Sequence, residues 1–94
     1  MSKKYKFPSD LVASKIVDEY NNALQKHPNW PIDPIHASAI VAEEAGELTR
    51  ATLQHFFYEN GRLEAAEKEA IQVAVTAIRF LEGLPKYSTK NQME

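Results

Sequence analysis

His36-Ala37-Ser38-Ala39-Ile40-Val41-Ala42-Glu43-Glu44-Ala45-Gly46-Glu47-Leu48 carries glutamates where a buried helix would carry leucines. At about 100° per residue, Ala37, Ile40, Val41, Leu48 and Ala51 form one apolar stripe. Glu44 falls inside that stripe, and Glu47 lies on its edge one turn later. Carboxylates are rarely buried without a partner or a cation. Such a face needs either arginines or metal ions, and that choice decides the function class.

The rest of the chain reads as helices around this one. Ser9-Asp10 caps a first helix to about Lys26, with Val12, Ile16, Tyr20, Ala23 and Leu24 on one face. Pro28 stops it and biases His27 away from helical geometry. A linker, Asn29 to Ile32, holds the only tryptophan, Trp30. Asp33 caps the second helix, and Pro34 fits its first position, where a missing N–H costs nothing. That helix runs to about Phe57. Asn60-Gly61 is the strongest turn signal, read as the tip of a helical hairpin because its flanks lack strand alternation. The third helix spans about Leu63 to Glu82, ended by Gly83 and Pro85. Lys86 to Glu94 reads as a polar, mobile tail.

The expected fold is therefore all-α: one domain over residues 1–94, a bundle of three main helices completed by homo-oligomerisation. The 94 residues are 44% hydrophobic, enough for a core but with a modest share of surface buried. The third helix is apolar on two sides, around Val73 and around Ile71, and the second side implies another copy of the chain. Eleven basic residues against thirteen acidic ones give a net charge of -2, which argues against a nucleic-acid partner. Met1 to Lys6 is basic, but no apolar run follows it, so neither a signal peptide nor a membrane span is expected. The lack of cysteine excludes disulfides and thiolate metal sites and fits a cytoplasmic protein.

Glu69 is the counterpart of Glu44, set in a small-residue apolar face, with Gln72 one turn further on. The midpoint between Glu44 and Gln72 falls at Tyr58, within a turn of Asn60-Gly61. A hairpin closed there sets Glu44 and Glu47 opposite Glu69 and Gln72. Ala45, Gly46, Ala65, Ala66 and Ala70 would let the helices approach closely and leave room for ions. Like charges about 4 Å apart cost on the order of 4 kcal/mol at an effective dielectric of 20. Arginine is scarce on these faces, whereas a hard divalent cation takes oxygen ligands. Magnesium bridging carboxylates and phosphate oxygens points to a phosphate-bearing substrate. A Glu-Glu-x-x-Glu run alone is most often a solvated face. A second misplaced glutamate at matching height argues otherwise. The absence of Glu-x-x-His pairs argues against a di-iron site.

Four further residues are candidates for contacting substrate. His36 shares the side of Glu43 and Glu47, and can meet phosphate or base or simply end the buried face. Lys68 and Arg79 flank the Gln72 side of the third helix, as phosphate partners or as solvated charges. Trp30 can stack on a base or close the core. Phe56, Phe57 and Tyr58 read as packing residues near the turn.

Glu43-Glu44-Ala45-Gly46-Glu47 and Glu69-Ala70-Ile71-Gln72 resemble the two halves of the pattern found in MazG-like members of the all-α nucleoside triphosphate pyrophosphatase superfamily. That pattern is Glu-Glu-x-x-Glu, a spacer, then Glu-x-x-Asp, and the likeness covers about residues 35–84. The resemblance implies hydrolysis of a nucleoside triphosphate to the monophosphate and pyrophosphate, with magnesium, or manganese in its place. By position it implies Glu44, Glu47 and Glu69 as metal ligands, with Glu43 as a supporting ligand or the group that orients or deprotonates water. The assembly expected from the two-sided third helix is a homodimer or homotetramer. Gln72 departs from the pattern: its amide oxygen can ligate magnesium, but without charge. The alternative is a MazG-like module of weak or no activity that binds nucleotide or protein.

Overall fold

The computed structural model describes residues 9–58 and 61–88. Three helices carry the chain: α1 (Asp10–Lys26), α2 (Pro34–Phe56) and α3 (Leu63–Gly83). A 3-10 turn, Leu84–Lys86, follows. Among the described residues there is no strand, and no helix is long and apolar enough to cross a membrane.

The starts and stops have local causes. The Ser9 hydroxyl accepts from Val12 N–H at 3.4 Å, and the Asp33 carboxylate accepts from Ile35 N–H at 3.0 Å. Caps of this kind are worth about 1 kcal/mol each. His27 leaves helical geometry at φ -134, ψ 71, just before Pro28. Gly61 closes the hairpin by donating its N–H to the Gln54 carbonyl at 3.2 Å. Asn60, the other half of the expected turn, lies outside the described residues, as do Met1–Lys6 and residues 89–94.

Helix α3 is the centre of the subunit. It packs along α2 and is crossed by α1, while α1 does not reach α2. Its buried residues are Ala66, Val75, Thr76 and Arg79. Val75 is the one large side chain that is fully buried among the described residues. The Thr76 hydroxyl donates back to the Gln72 carbonyl at 2.9 Å, so its burial leaves no unmet donor.

Two expectations change. Of the small residues expected between the helices, only Ala66 is buried; Ala45, Gly46 and Ala65 are exposed, and Ala70 is too. These exposed small residues therefore face away from the α2–α3 seam. The chain beyond Gly83 is also anchored rather than free over its first residues. Tyr87 Oη donates to the Phe80 carbonyl and accepts from Trp30 Nε1, both at 2.9 Å, and Ser88 N–H donates to the Ile32 carbonyl at 3.0 Å. These bonds tie the end of α3 to the α1–α2 linker.

The glycines make opposite predictions. A Cβ on Gly61 would sit 2.8 Å from Gln54 Cβ and 3.1 Å from its carbonyl carbon, whereas one on Gly46 meets nothing within 4 Å. Gly61→Ala should cost about 1–3 kcal/mol of unfolding free energy. Gly46→Ala should add about 0.5–1 kcal/mol, because it removes backbone freedom in a helix interior. Urea unfolding of the two variants measures both.

Candidate functional site

The hairpin sets α2 and α3 side by side, and Glu44 and Glu69 meet across them. Their side chains face each other closely enough for Glu69 to act on Glu44 both as a hydrogen-bond partner and as a charge. Both lie at the α2–α3 seam, with Glu44 half-buried there. The Glu44 carboxyl is held above its ordinary pKa, first because burial strips its water, then by the bond to Glu69, then by the charges of Glu69, Glu47 and Glu43. The two misplaced glutamates of the sequence are thus in contact.

Glu43 and Glu47 are exposed on α2 and bear on Glu44 through their charge. Among the described residues, no three acidic or histidine side chains stand grouped as ligands of one ion. The pair Glu44–Glu69 is the part of the expected set that the fold brings together. Its carboxyl oxygens, with the amide oxygen of Gln72 one turn along α3, are the donor type a hard divalent cation takes.

Beside this pair is a cavity of about 350 Å³ between the α1–α2 linker and the helix hairpin. Glu44, Gln72, Trp30 and Arg79 all line it, over an apolar floor of Ile40 and Val75. Trp30 is half-buried, fixed by its bond to Tyr87, with its ring face 4.8 Å from the Arg79 guanidinium carbon. Stacking of this kind contributes about 1–2 kcal/mol when partly desolvated. Arg79 is not a solvated charge: it is buried, and its Nη2 donates to the His27 carbonyl at 2.7 Å.

The remaining candidates separate. Lys68 is exposed and lines a larger groove between α1 and α3, which it shares with Gln72. His36 is exposed on the first turns of α2 and is not part of the cleft lining. Gln72 is half-buried, and its Nε2 donates to Glu19 Oε2 at 2.7 Å. Glu19 and Tyr87 are the residues that the sequence alone does not single out. Glu19 had a signal: it lies three positions after Ile16 and four before Ala23, on the inward stripe of α1. Tyr87 had none, because its partner Trp30 is 57 positions away.

The raised Glu44 carboxyl fixes a direction of pH dependence. A group whose pKa is higher folded than unfolded binds its proton more tightly in the fold. Its contribution is complete at low pH and is lost as pH rises through the folded value. The metal-free protein should therefore lose stability as pH climbs out of the ordinary carboxylate range. Glu44→Gln should flatten that decline, as read by melting temperature between about pH 4 and pH 7.

Compared with known proteins, the chain matches no family model, no curated protein and no solved structure.

Proposed function

We propose that this chain is a magnesium-dependent nucleoside triphosphate pyrophosphohydrolase, releasing a nucleoside monophosphate and pyrophosphate. The observation that carries the reading is the Glu44–Glu69 contact: two carboxyls set against each other on paired helices, with burial and Glu69 both raising the pKa of Glu44. A chain with a purely structural use for these positions would place apolar groups there at lower cost.

In this reading Glu44 and Glu69 hold the cation, and Glu47, one turn along α2, turns inward to complete the set with Gln72. Magnesium, when bound, offsets the negative charge of the phosphates and favours attack at phosphorus. Glu43 is exposed and free to accept a proton from the attacking water. The cavity beside Glu44 takes the base and sugar, with Trp30 as its aromatic wall. Lys68 and His36 lie outside that cavity, so any contact they make with substrate is at its phosphate end.

The subunit works as a homodimer or homotetramer. Support comes from the apolar side chains it leaves in water. Phe56, Phe57 and Tyr58 are 60%, 74% and 68% exposed near the hairpin tip. A second apolar hollow, lined by Val41, Ala45, Phe80 and Leu81, runs along α2 and α3. Clusters of this kind mark association surfaces.

One observation favours the alternative, a module that binds nucleotide without turnover. The Gln72 amide is engaged by Glu19 and brings no charge to the pair. Pyrophosphate release separates the two readings. With magnesium and a panel of ribo- and deoxyribonucleoside triphosphates, at least one substrate should yield equimolar monophosphate and pyrophosphate. Glu44→Gln and Glu69→Gln should each reduce that rate by about 100-fold or more. Nucleotide binding without product from any substrate would favour the module. Light scattering should give at least twice the 10.6 kDa chain mass; a monomer at micromolar concentration would refute the assembly.

A further inference from the structure

Gln72 stands at the seam between two cavities. It lines the groove between α1 and α3 and also the cleft that holds Glu44. Its amide is oriented from the α1 side, by Glu19 at 2.7 Å. An ionised carboxylate accepts hydrogen bonds and donates none, so the atom facing Glu19 has to be the amide nitrogen. The carboxamide is planar, and its oxygen then points away from the Glu19 carboxylate. Glu19 is itself braced: Asn22 Nδ2 donates to its other oxygen at 3.3 Å. Lys15, one turn earlier on α1, is paired with Glu67 at 2.6 Å. Two amides hold the Glu19 carboxylate, and among the described residues no cation is paired with it.

We propose that Glu19 is a positioning residue, holding Gln72 so that its amide oxygen faces the Glu44 cleft as a neutral ligand for the cation. This rests on the metal-dependent reading above. It assigns the negative charge at this level of the site to α1 and leaves α3 with an uncharged oxygen. It also explains why residue 72 is an amide here. A carboxylate in its place would stand against Glu19 with no proton donor between them.

An exchange of the two side chains tests the assignment. The full-length chain is compared as wild type, Glu19→Gln, Gln72→Glu and the double variant. Thermal unfolding is followed without metal and across a magnesium titration. Glu19→Gln keeps a hydrogen bond but lets either end of the Gln72 amide turn to α1. It should weaken the magnesium midpoint by about tenfold while leaving the metal-free melting temperature nearly unchanged. Gln72→Glu alone should lower the metal-free melting temperature through like-charge repulsion. The double variant restores the hydrogen bond with its direction reversed, the amide now on α1 and the carboxylate on α3. It should recover the melting temperature and respond to magnesium at least as well as wild type.

The side-chain amide resonances of Gln72 should also shift on adding magnesium to wild type. If Glu19→Gln lowers the metal-free melting temperature but leaves the magnesium midpoint alone, Glu19 is only a tie between α1 and α3, and the inference fails. If that variant does not fold, the double variant decides. Recovery of folding with recovery of the magnesium response supports the assignment, and recovery of folding alone overturns it. No magnesium response in wild type removes the metal-dependent reading and this inference together.

Discussion

Two carboxyls set against each other, Glu44 on α2 and Glu69 on α3, set the terms for the rest of the subunit. Ala66 is buried on α3, and Glu44 lines the cleft between the hairpin and the α1–α2 linker. Burial raises the pKa of Glu44, and the hydrogen bond to Glu69 and then its charge raise it further. A cation at the same place would offset the charge of both carboxyls. The same burial that raises the cost of the acids strengthens their attraction to such an ion.

Helix α1 is attached in a different way. Its apolar face meets α3 only in part: Ala23 is buried, whereas Val12 and Leu24 are 48% and 39% exposed. The side-chain links from α1 and its C-cap to α3 are polar: Lys15 to Glu67, Glu19 to Gln72, and the His27 carbonyl to Arg79. The first is an exposed ion pair, worth at most about 1 kcal/mol. The other two are partly buried, and are the stronger constraints. They sit at successive heights of α3, so α1 is fixed in register by hydrogen bonds more than by packing.

The sequence disclosed most of this fold because its signals are local. Ser9, Asp33, Pro34 and Pro28 define helix ends through their own backbone chemistry, and each boundary lies within a residue or two of where they put it. The opposition of Glu44 and Glu69 was also legible, since a hairpin of known tip position sets the register of its arms. What stayed hidden is non-local. Arg79 reads as a surface charge until the linker folds Trp30 over it and His27 offers a carbonyl. Tyr87 reads as part of a polar tail until Trp30 gives it a donor. Glu19 sat on the inward face of α1, but its partner is chosen by how α1 crosses α3, which helical periodicity does not specify. Gly46 shows the opposite error: a small residue beside an acidic pair suggests close helix contact, yet its α-carbon faces open space.

Arg79 decides between the two ways a protein can keep acids out of water. It is the buried guanidinium of the described chain, and it lines the same cleft as Glu44. An ion pair from it would have neutralised the acids internally, with no need of anything from solution. Its Nη2 instead donates to the His27 carbonyl, and its face lies against Trp30. Among the described residues the one ion pair is Lys15–Glu67, an exposed contact between α1 and α3 that does not involve the acidic pair. The positive charge that the fold places in the cleft therefore shapes the aromatic wall and the α1 terminus. Among the described residues the carboxyls of Glu44 and Glu69 therefore meet each other across the seam rather than a guanidinium or ammonium group.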